Sequence, residues 1–413
     1  MNKVQKPELL APAGSHEAMM AAIQGGCDAV YFGVEQLNMR ARSTNNFQVT
    51  DLPKIAALGK EHNVRMYLTV NTVLYDHDIN LMKQIIKEAK EAGINAIIAS
   101  DHAAIAYAHS IQMPVHISTQ ANVTNIESVQ FYSVFADLMV LSRELTLSQV
   151  QTIIREIARR NITGPSGELV KIEIFAHGAL CMAVSGKCYL SLHTHNASAN
   201  RGACIQNCRR SYVVTDKDEG YELEIDNEYI MSAEDLCTID FLDKIADAGV
   251  NVLKIEGRGR AADYVYTTTK CYREAIDAYA DGTFSKEKIE DWKERLSTVF
   301  NRGFWDGYYL GRTMGEWSDV YGSKATQQKI YIGKGMKFYD KAGVGEFLME
   351  SHSLKVGNKV MIIGPTTGYE ETIVEGLRLD NKEVDEVKRG DVFTMKVGHR
   401  VRPSDKLYKV VAS

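Results

Sequence analysis

Residues 171–210 read KIEIFAHGALCMAVSGKCYLSLHTHNASANRGACIQNCRR. The stretch begins as a β-rich run, 171–175, and then passes into polar, glycine-containing chain that does not return to a regular pattern until about Ile239. A strand and its following helix are usually joined by about 2–6 residues, and much longer connections tend to carry function. If 171–175 is a strand of a parallel sheet, this excursion leaves from the strand's C-terminal end and must lie over whatever the sheet builds there.

Reading outward supports a parallel sheet. Short apolar runs at 8–10, 29–32, 65–70, 96–99, 115–118, 138–141, 171–175 and 252–255 are rich in Val, Ile, Leu and Tyr without strict alternation, as expected of strands covered on both faces. Amphipathic stretches separate them. In 77–92, Ile79, Met82, Ile85, Ile86 and Ala89 form one stripe and Gly93 follows as a C-cap. Residues 15–24, 146–160 and 239–248 repeat the pattern. Eight strands alternating with helices over about 255 residues match a (β/α)8 TIM-type barrel better than a doubly wound open sheet. The expected organisation is a barrel over 1–328 with a cysteine-bearing insert, 179–238, after strand seven. A small C-terminal β-barrel domain over 329–413 follows, marked by β-rich runs and turns at Gly357-Asn358 and Thr367-Gly368.

The chain of 413 residues is 45% hydrophobic and 24% charged, an ordinary globular composition. The start, MNKVQKPELLAPAG, lacks the apolar core of a signal peptide, and no apolar run reaches 18 residues, so the expectation is a cytoplasmic protein without a membrane span. A net charge of −5 argues against a protein that coats nucleic acid non-specifically.

Active sites of such barrels stand at the C-terminal strand ends. The polar residues there are Asn71, Asp101, Gln120, Asn122, Arg143, Glu144, His177, Glu256 and Arg258. His177 and Glu256 are candidate proton carriers. Arg258, Arg143 and Arg40 are candidates to hold carboxylate or phosphate. Of seven cysteines, Cys27 and Cys271 read as core thiols, whereas Cys181, Cys188, Cys204, Cys208 and Cys237 fall in or beside the insert. Grouped thiols in reducing surroundings bind metal more often than they pair. No CxxC pair, zinc-protease helix, G-x-S-x-G elbow, Walker loop or dinucleotide fingerprint is present. Arg209 and Arg210 adjoin the cysteines, and Lys396, His399, Arg400, Arg402, Lys406 and Lys409 concentrate positive charge near the end of the chain, a candidate RNA contact.

The motif EIFAHGALCMAVSGKCYLS (173–191) resembles the signature of the collagenase-like peptidases, family 32 among peptidases of unassigned mechanism. ELLAPAG (8–14), ANRGACIQNCR (199–209), LKIEGR (253–258) and NRGFWDGYYLG (301–311) resemble further blocks of that family. Some members are described as collagenases. Others introduce hydroxyl groups without molecular oxygen, on ubiquinone precursors, ribosomal RNA or the wobble uridine of tRNA. The resemblance implies a [4Fe-4S] cluster held by Cys181, Cys188 and Cys204 with either Cys208 or Cys237, of which Cys237, returning the chain to the barrel, is the favoured fourth ligand.

Chain length and the C-terminal tail point within the family to the tRNA uridine 5-hydroxylation proteins. That resemblance implies prephenate or a derived metabolite as co-substrate, and tRNA and an electron donor as partners. Asn71, Gln120, Asn122, Arg143, Arg40, Arg209 and Arg210 are then candidate substrate contacts. The competing expectations are a collagenase-like peptidase and a non-enzymatic iron–sulfur or zinc scaffold that binds RNA.

Overall fold

The computed structural model describes residues 6–41, 46–220, 222–223, 231–311, 316–319 and 322–413. Its first part is built on eight strands: β1 (Glu8–Pro12), β2 (Ala29–Phe32), β3 (Arg65–Val70), β4 (Ala96–Ala99), β5 (Val115–Ile117), β6 (Leu138–Val140), β7 (Lys171–Ala179) and β8 (Val252–Ile255). Each pairs in parallel with the next through β7. β8 pairs in parallel with both β7 and β1, which closes the barrel. Leu10, Ala29, Tyr31, Tyr67, Ala96, Ile98, Leu138 and Val252 form one cluster within it. The alternate strand residues, such as Leu9, Val30, Phe32 and Leu68, join the larger core that includes the helices. Both faces are thus buried, which explains the unbroken apolar runs.

The helices α1 (His16–Gln24), α2 (Leu52–His62), α3 (Ile79–Ala92), α4 (His102–Ser110), α5 (Ile126–Tyr132) and α6 (Leu147–Arg160) fill the connections between β1 and β7. α6 shows how locally these are specified. Thr146 and Gln149 form a capping box, Val150, Ile153 and Ile157 point inward, and Asn161 ends the helix in the left-handed conformation. Such an N-cap contributes about 1 kcal/mol, and the buried stripe fixes which face meets the barrel. After β7 come the short α7 (Leu190–His195) of the insert and α8 (Leu242–Asp247). After β8 come α9 (Ala262–Ala280) and α10 (Lys286–Ser297).

β7 runs four residues beyond its expected end, to Ala179. The extension is held by Asp235–Cys237, which pairs antiparallel with it and parallel with Phe304–Trp305. His177 therefore lies within a strand rather than on the loop past it.

From Gln327 onward the chain forms an antiparallel β domain. An eight-stranded sheet includes Gln327–Tyr339, Val344–Met349, Lys359–Gly364, Val392–Lys396 and Lys406–Ala412. Its own core contains Ile332, Phe347, Ile362, Phe393 and Leu407. The domain docks on α1 and α9. Gln24 donates to the Thr367 carbonyl (2.9 Å) and accepts from the Tyr369 N–H (2.9 Å), and the Tyr266 and Tyr369 rings lie 4.7 Å apart. No helix among the described residues is long and apolar enough to cross a membrane.

Candidate functional site

A cavity of about 540 Å³ opens at the C-terminal ends of the barrel strands. The barrel supplies Tyr31, Asn71, Arg143, Lys254, Glu256 and Arg258, and the insert supplies Cys181, Cys188, Cys204 and Cys208. The insert is tied down where it crosses the mouth. Arg201 bonds Asp78 (2.7 Å) and the Val73 carbonyl and lies over the Tyr75 ring. The Asn122 amide donates to the Ser185 carbonyl (3.1 Å). Arg209 donates to the Leu180 carbonyl (2.6 Å), the Ser232 hydroxyl and the Ala233 carbonyl.

Arg258 is a buried cation of the mouth, with only 5% of its surface exposed. Its guanidinium donates to Thr69 Oγ1 (2.8 Å) and Asn38 Oδ1 (2.9 Å). A Cβ at Gly14 would stand 2.0 Å from the Arg258 carbonyl oxygen, and one at Gly33 would stand 2.2 Å from Nη1. Those glycines make room for the arginine, which gives a physical reason for ELLAPAG and LKIEGR to occur together. Burial brings the Arg258 pKa down to about 10.

Glu256 is the carboxylate of the cavity. Burial alone would raise its pKa, but Arg40, Arg143 and Arg258 outweigh that cost and hold it below the usual carboxylate range. It accepts from Arg40 Nη2 (3.1 Å) and from the Tyr31 hydroxyl (3.2 Å). Arg143 lies over the Phe175 ring, 3.8 Å from its centroid, and donates to the Ala179 carbonyl. Asn71 and Gln120 bond each other (3.1 Å) on the adjoining wall.

The structure divides the five insert-region cysteines. Cys181, Cys188, Cys204 and Cys208 line the one cavity, and the Cys208 thiol is pushed up first by burial and then by the neighbouring Cys181, Cys204 and Cys188, against the pull of Arg209. Cys237 lies elsewhere. It is buried in the strand paired with β7, 3.9 Å from the Tyr272 hydroxyl, and burial pushes its thiol up to about 11. The geometry therefore favours Cys208 over the favoured Cys237 as the companion of the other three, because the antiparallel return carries Cys237 behind β7 rather than over the mouth. Thiols beside guanidiniums are a donor set suited to a soft metal or an iron–sulfur cluster. Among the described residues, no three thiol, imidazole or carboxylate groups already stand in metal-binding geometry, so the fit is one of donor type and shared cavity.

Other candidates fall outside the cavity. His177 is 1% exposed and packed among Tyr264, Tyr272 and Phe304, and burial lowers its pKa to about 3. It does not line the cavity. Asn122 positions the insert, Arg210 lines a second cavity beside the first, and Asp101 caps α4.

Lys254 was not singled out from sequence, yet its side chain reaches the cavity. It bonds Glu173 (2.7 Å) and lies over the Tyr31 ring. A lysine inside an apolar strand run was the available signal. Of the C-terminal basic residues, Lys396 pairs with Glu375, His399 with Glu370 and Arg400 with Asp340, while Arg402 donates to Thr367. Much of that charge is answered within its own domain.

Comparison with known proteins adds three findings. Residues 14–319 match the family model described as peptidase family U32. The chain is 58% identical over 402 residues to a protein of Porphyromonas gingivalis named collagenase, covering 97% of both chains, and 52% identical over 359 residues to another so named, covering 87% of this chain and 98% of the relative. It is 28% identical over 415 residues to tRNA hydroxylation protein P1 of Bacillus subtilis, covering 98% of this chain and 95% of the relative.

Proposed function

The chain belongs to peptidase family U32, and from that premise we propose that it is an RNA-modifying enzyme that hydroxylates the wobble uridine of tRNA to 5-hydroxyuridine without molecular oxygen. The observation that carries this reading is the convergence of Cys181, Cys188, Cys204 and Cys208 with Arg40, Arg143 and Arg258 on one barrel-mouth cavity. A [4Fe-4S] cluster held by those four cysteines would supply one-electron chemistry. Tyr189, 69% exposed on the cavity wall, offers an aromatic face for a planar base from a single-stranded loop. Asn71 and Gln120 offer amides for its edge. Arg143 and Arg258 offer guanidiniums for the carboxylates of prephenate or a derived metabolite. Glu256, held below the usual carboxylate range, fixes Arg40 and the buried Tyr31 hydroxyl.

The peptidase reading has its own support, since the relatives at 58% and 52% identity are named collagenases while the tRNA hydroxylation protein is at 28%. Against it stands the chemistry of the cavity. Among the described residues no histidine lines it, and its carboxylate Glu256 is engaged by Arg40, whereas the common nucleophilic peptidase sites pair a nucleophile with a base.

One paired experiment separates the two. Nucleosides from tRNA of a deletion strain are compared by mass spectrometry with those of a strain carrying the gene, and the purified, anaerobically handled protein is incubated with gelatin. Loss and restoration of 5-hydroxyuridine derivatives without gelatin cleavage is expected. Unchanged tRNA, with gelatin cleavage abolished by Glu256→Gln, would establish the peptidase instead.

A further inference from the structure

A second cavity, about 380 Å³, adjoins the first, and Cys204, Gln206, Arg209, Arg260 and Arg302 line both. Arg209, Arg210, Arg260 and Arg302 stand around it, and among the described residues no carboxylate lines it. Two of these guanidiniums share one aromatic ring. Arg260 lies 3.5 Å and Arg302 4.9 Å from the Phe300 centroid. Arg302 is also bonded to the buried Asp235 (3.3 Å), and Arg209 is anchored to two carbonyls and a hydroxyl. These are positioned groups.

Holding several cations together costs Coulomb energy, and burial adds to it. Burial lowers the pKa of Arg260, and the Arg302 charge lowers it further, against the opposing pull of Tyr264 and Asp235. An anion in the cavity would relieve that repulsion. Guanidinium forks match phosphate oxygens with two parallel hydrogen bonds.

We infer that this second cavity is a phosphate subsite that grips the phosphodiester backbone of an RNA strand next to the nucleotide entering the mouth. The inference rests on the RNA reading above for the identity of the polymer. Its geometric ground is separate. Because Cys204, Arg209, Arg260 and Arg302 line both cavities, an anion in the second is continuous with a ligand in the first, as a backbone phosphate is with its own base.

The test measures binding of a short, fluorescently labelled single-stranded oligouridylate by anisotropy across a salt series, with inorganic phosphate as competitor. The full-length protein is compared with Arg210→Gln, with Arg210→Gln/Arg260→Gln, and with Lys396→Gln in the C-terminal domain. Arg210 is exposed, so its variant should fold normally.

The double variant should bind about ten- to a hundredfold more weakly, as expected for lost charged hydrogen bonds. The slope of log Kd against log salt should fall by about 0.7 for each arginine removed. Lys396→Gln should leave both unchanged. Equal affinity and slope in the wild type and both arginine variants would overturn the inference. So would binding of phosphate that depends on these arginines while the oligonucleotide does not bind. Since no turnover is read, a loss of RNA binding in these variants would stand even if tRNA hydroxylation were disproved.

Discussion

At the barrel mouth, Cys181, Cys188, Cys204 and Cys208 share a cavity with Arg40, Arg143 and Glu256. Beside it, similar residue types are buried: Cys237 against Tyr272, and Lys254, in the cavity wall, bonded to Glu173 with 6% and 0% of their side chains exposed. In the second region desolvation sets each group's state. The Cys237 thiol stays protonated, His177 stays neutral, and the Lys254–Glu173 pair is closed on itself. At the mouth guanidiniums outnumber carboxylates, so charge is available to a ligand. Chemistry belongs to the first region and rigidity to the second.

The largest expected effect is in the buried region. Glu173→Gln leaves Lys254 without its counter-charge and should cost about 3–5 kcal/mol in urea unfolding. Glu256→Gln should cost clearly less, since Arg40 keeps partial access to water. Equal losses would erase the distinction.

Alkylation gives the next contrast. At pH 8, metal-free protein should be modified at the exposed Cys181 and the partly exposed Cys188 and Cys204 much faster than at Cys237, which is buried and whose thiol is pushed up to about 11. Peptide mapping by mass spectrometry reads this, and rapid labelling of Cys237 in folded protein would contradict it.

A third expectation concerns pH. His116, on β5 with its ring 4.5 Å from that of Tyr67, and His177 are held near 3 by burial, below an unfolded value near 6.5. The unfolded chain therefore takes up protons that the folded one refuses. Stability should be unaffected by these residues above about pH 6.5 and should fall below it by about 1.4 kcal/mol per pH unit for each histidine. His116→Gln should flatten the acid limb of a stability–pH curve by one such slope, or about 2 kcal/mol between pH 6.5 and 5. An unchanged limb would show that His116 is already protonated in the fold.

The smallest expected effect is at the surface of the C-terminal domain. The Lys396–Glu375 pair is more than 70% exposed on both sides, and Lys396→Gln should shift stability by no more than about 0.5 kcal/mol.

Much of this organisation could be read from the residues. The apolar runs located all eight barrel strands because parallel strands buried on both faces leave an unmistakable signal. The length of the connection after β7 placed the cysteines over the mouth. The choice between Cys208 and Cys237 was not legible, because it depends on Asp235–Cys237 pairing antiparallel with β7, a contact between segments far apart in sequence. The same pairing lengthened β7 and turned His177 from a loop residue into a packed one. The four arginines of the second cavity come from three separate stretches, 209–210, 260 and 302, so no local pattern announced them.

The central claim is that the mouth cysteines, and not the buried one, hold an iron–sulfur cluster. Iron and acid-labile sulfide per chain, measured on protein purified without oxygen, test it directly in wild type, Cys208→Ala and Cys237→Ala. The account predicts about four of each in wild type, as a [4Fe-4S] centre requires, retention in Cys237→Ala and loss in Cys208→Ala. Stoichiometric zinc without iron in wild type, or loss in Cys237→Ala with retention in Cys208→Ala, would contradict it.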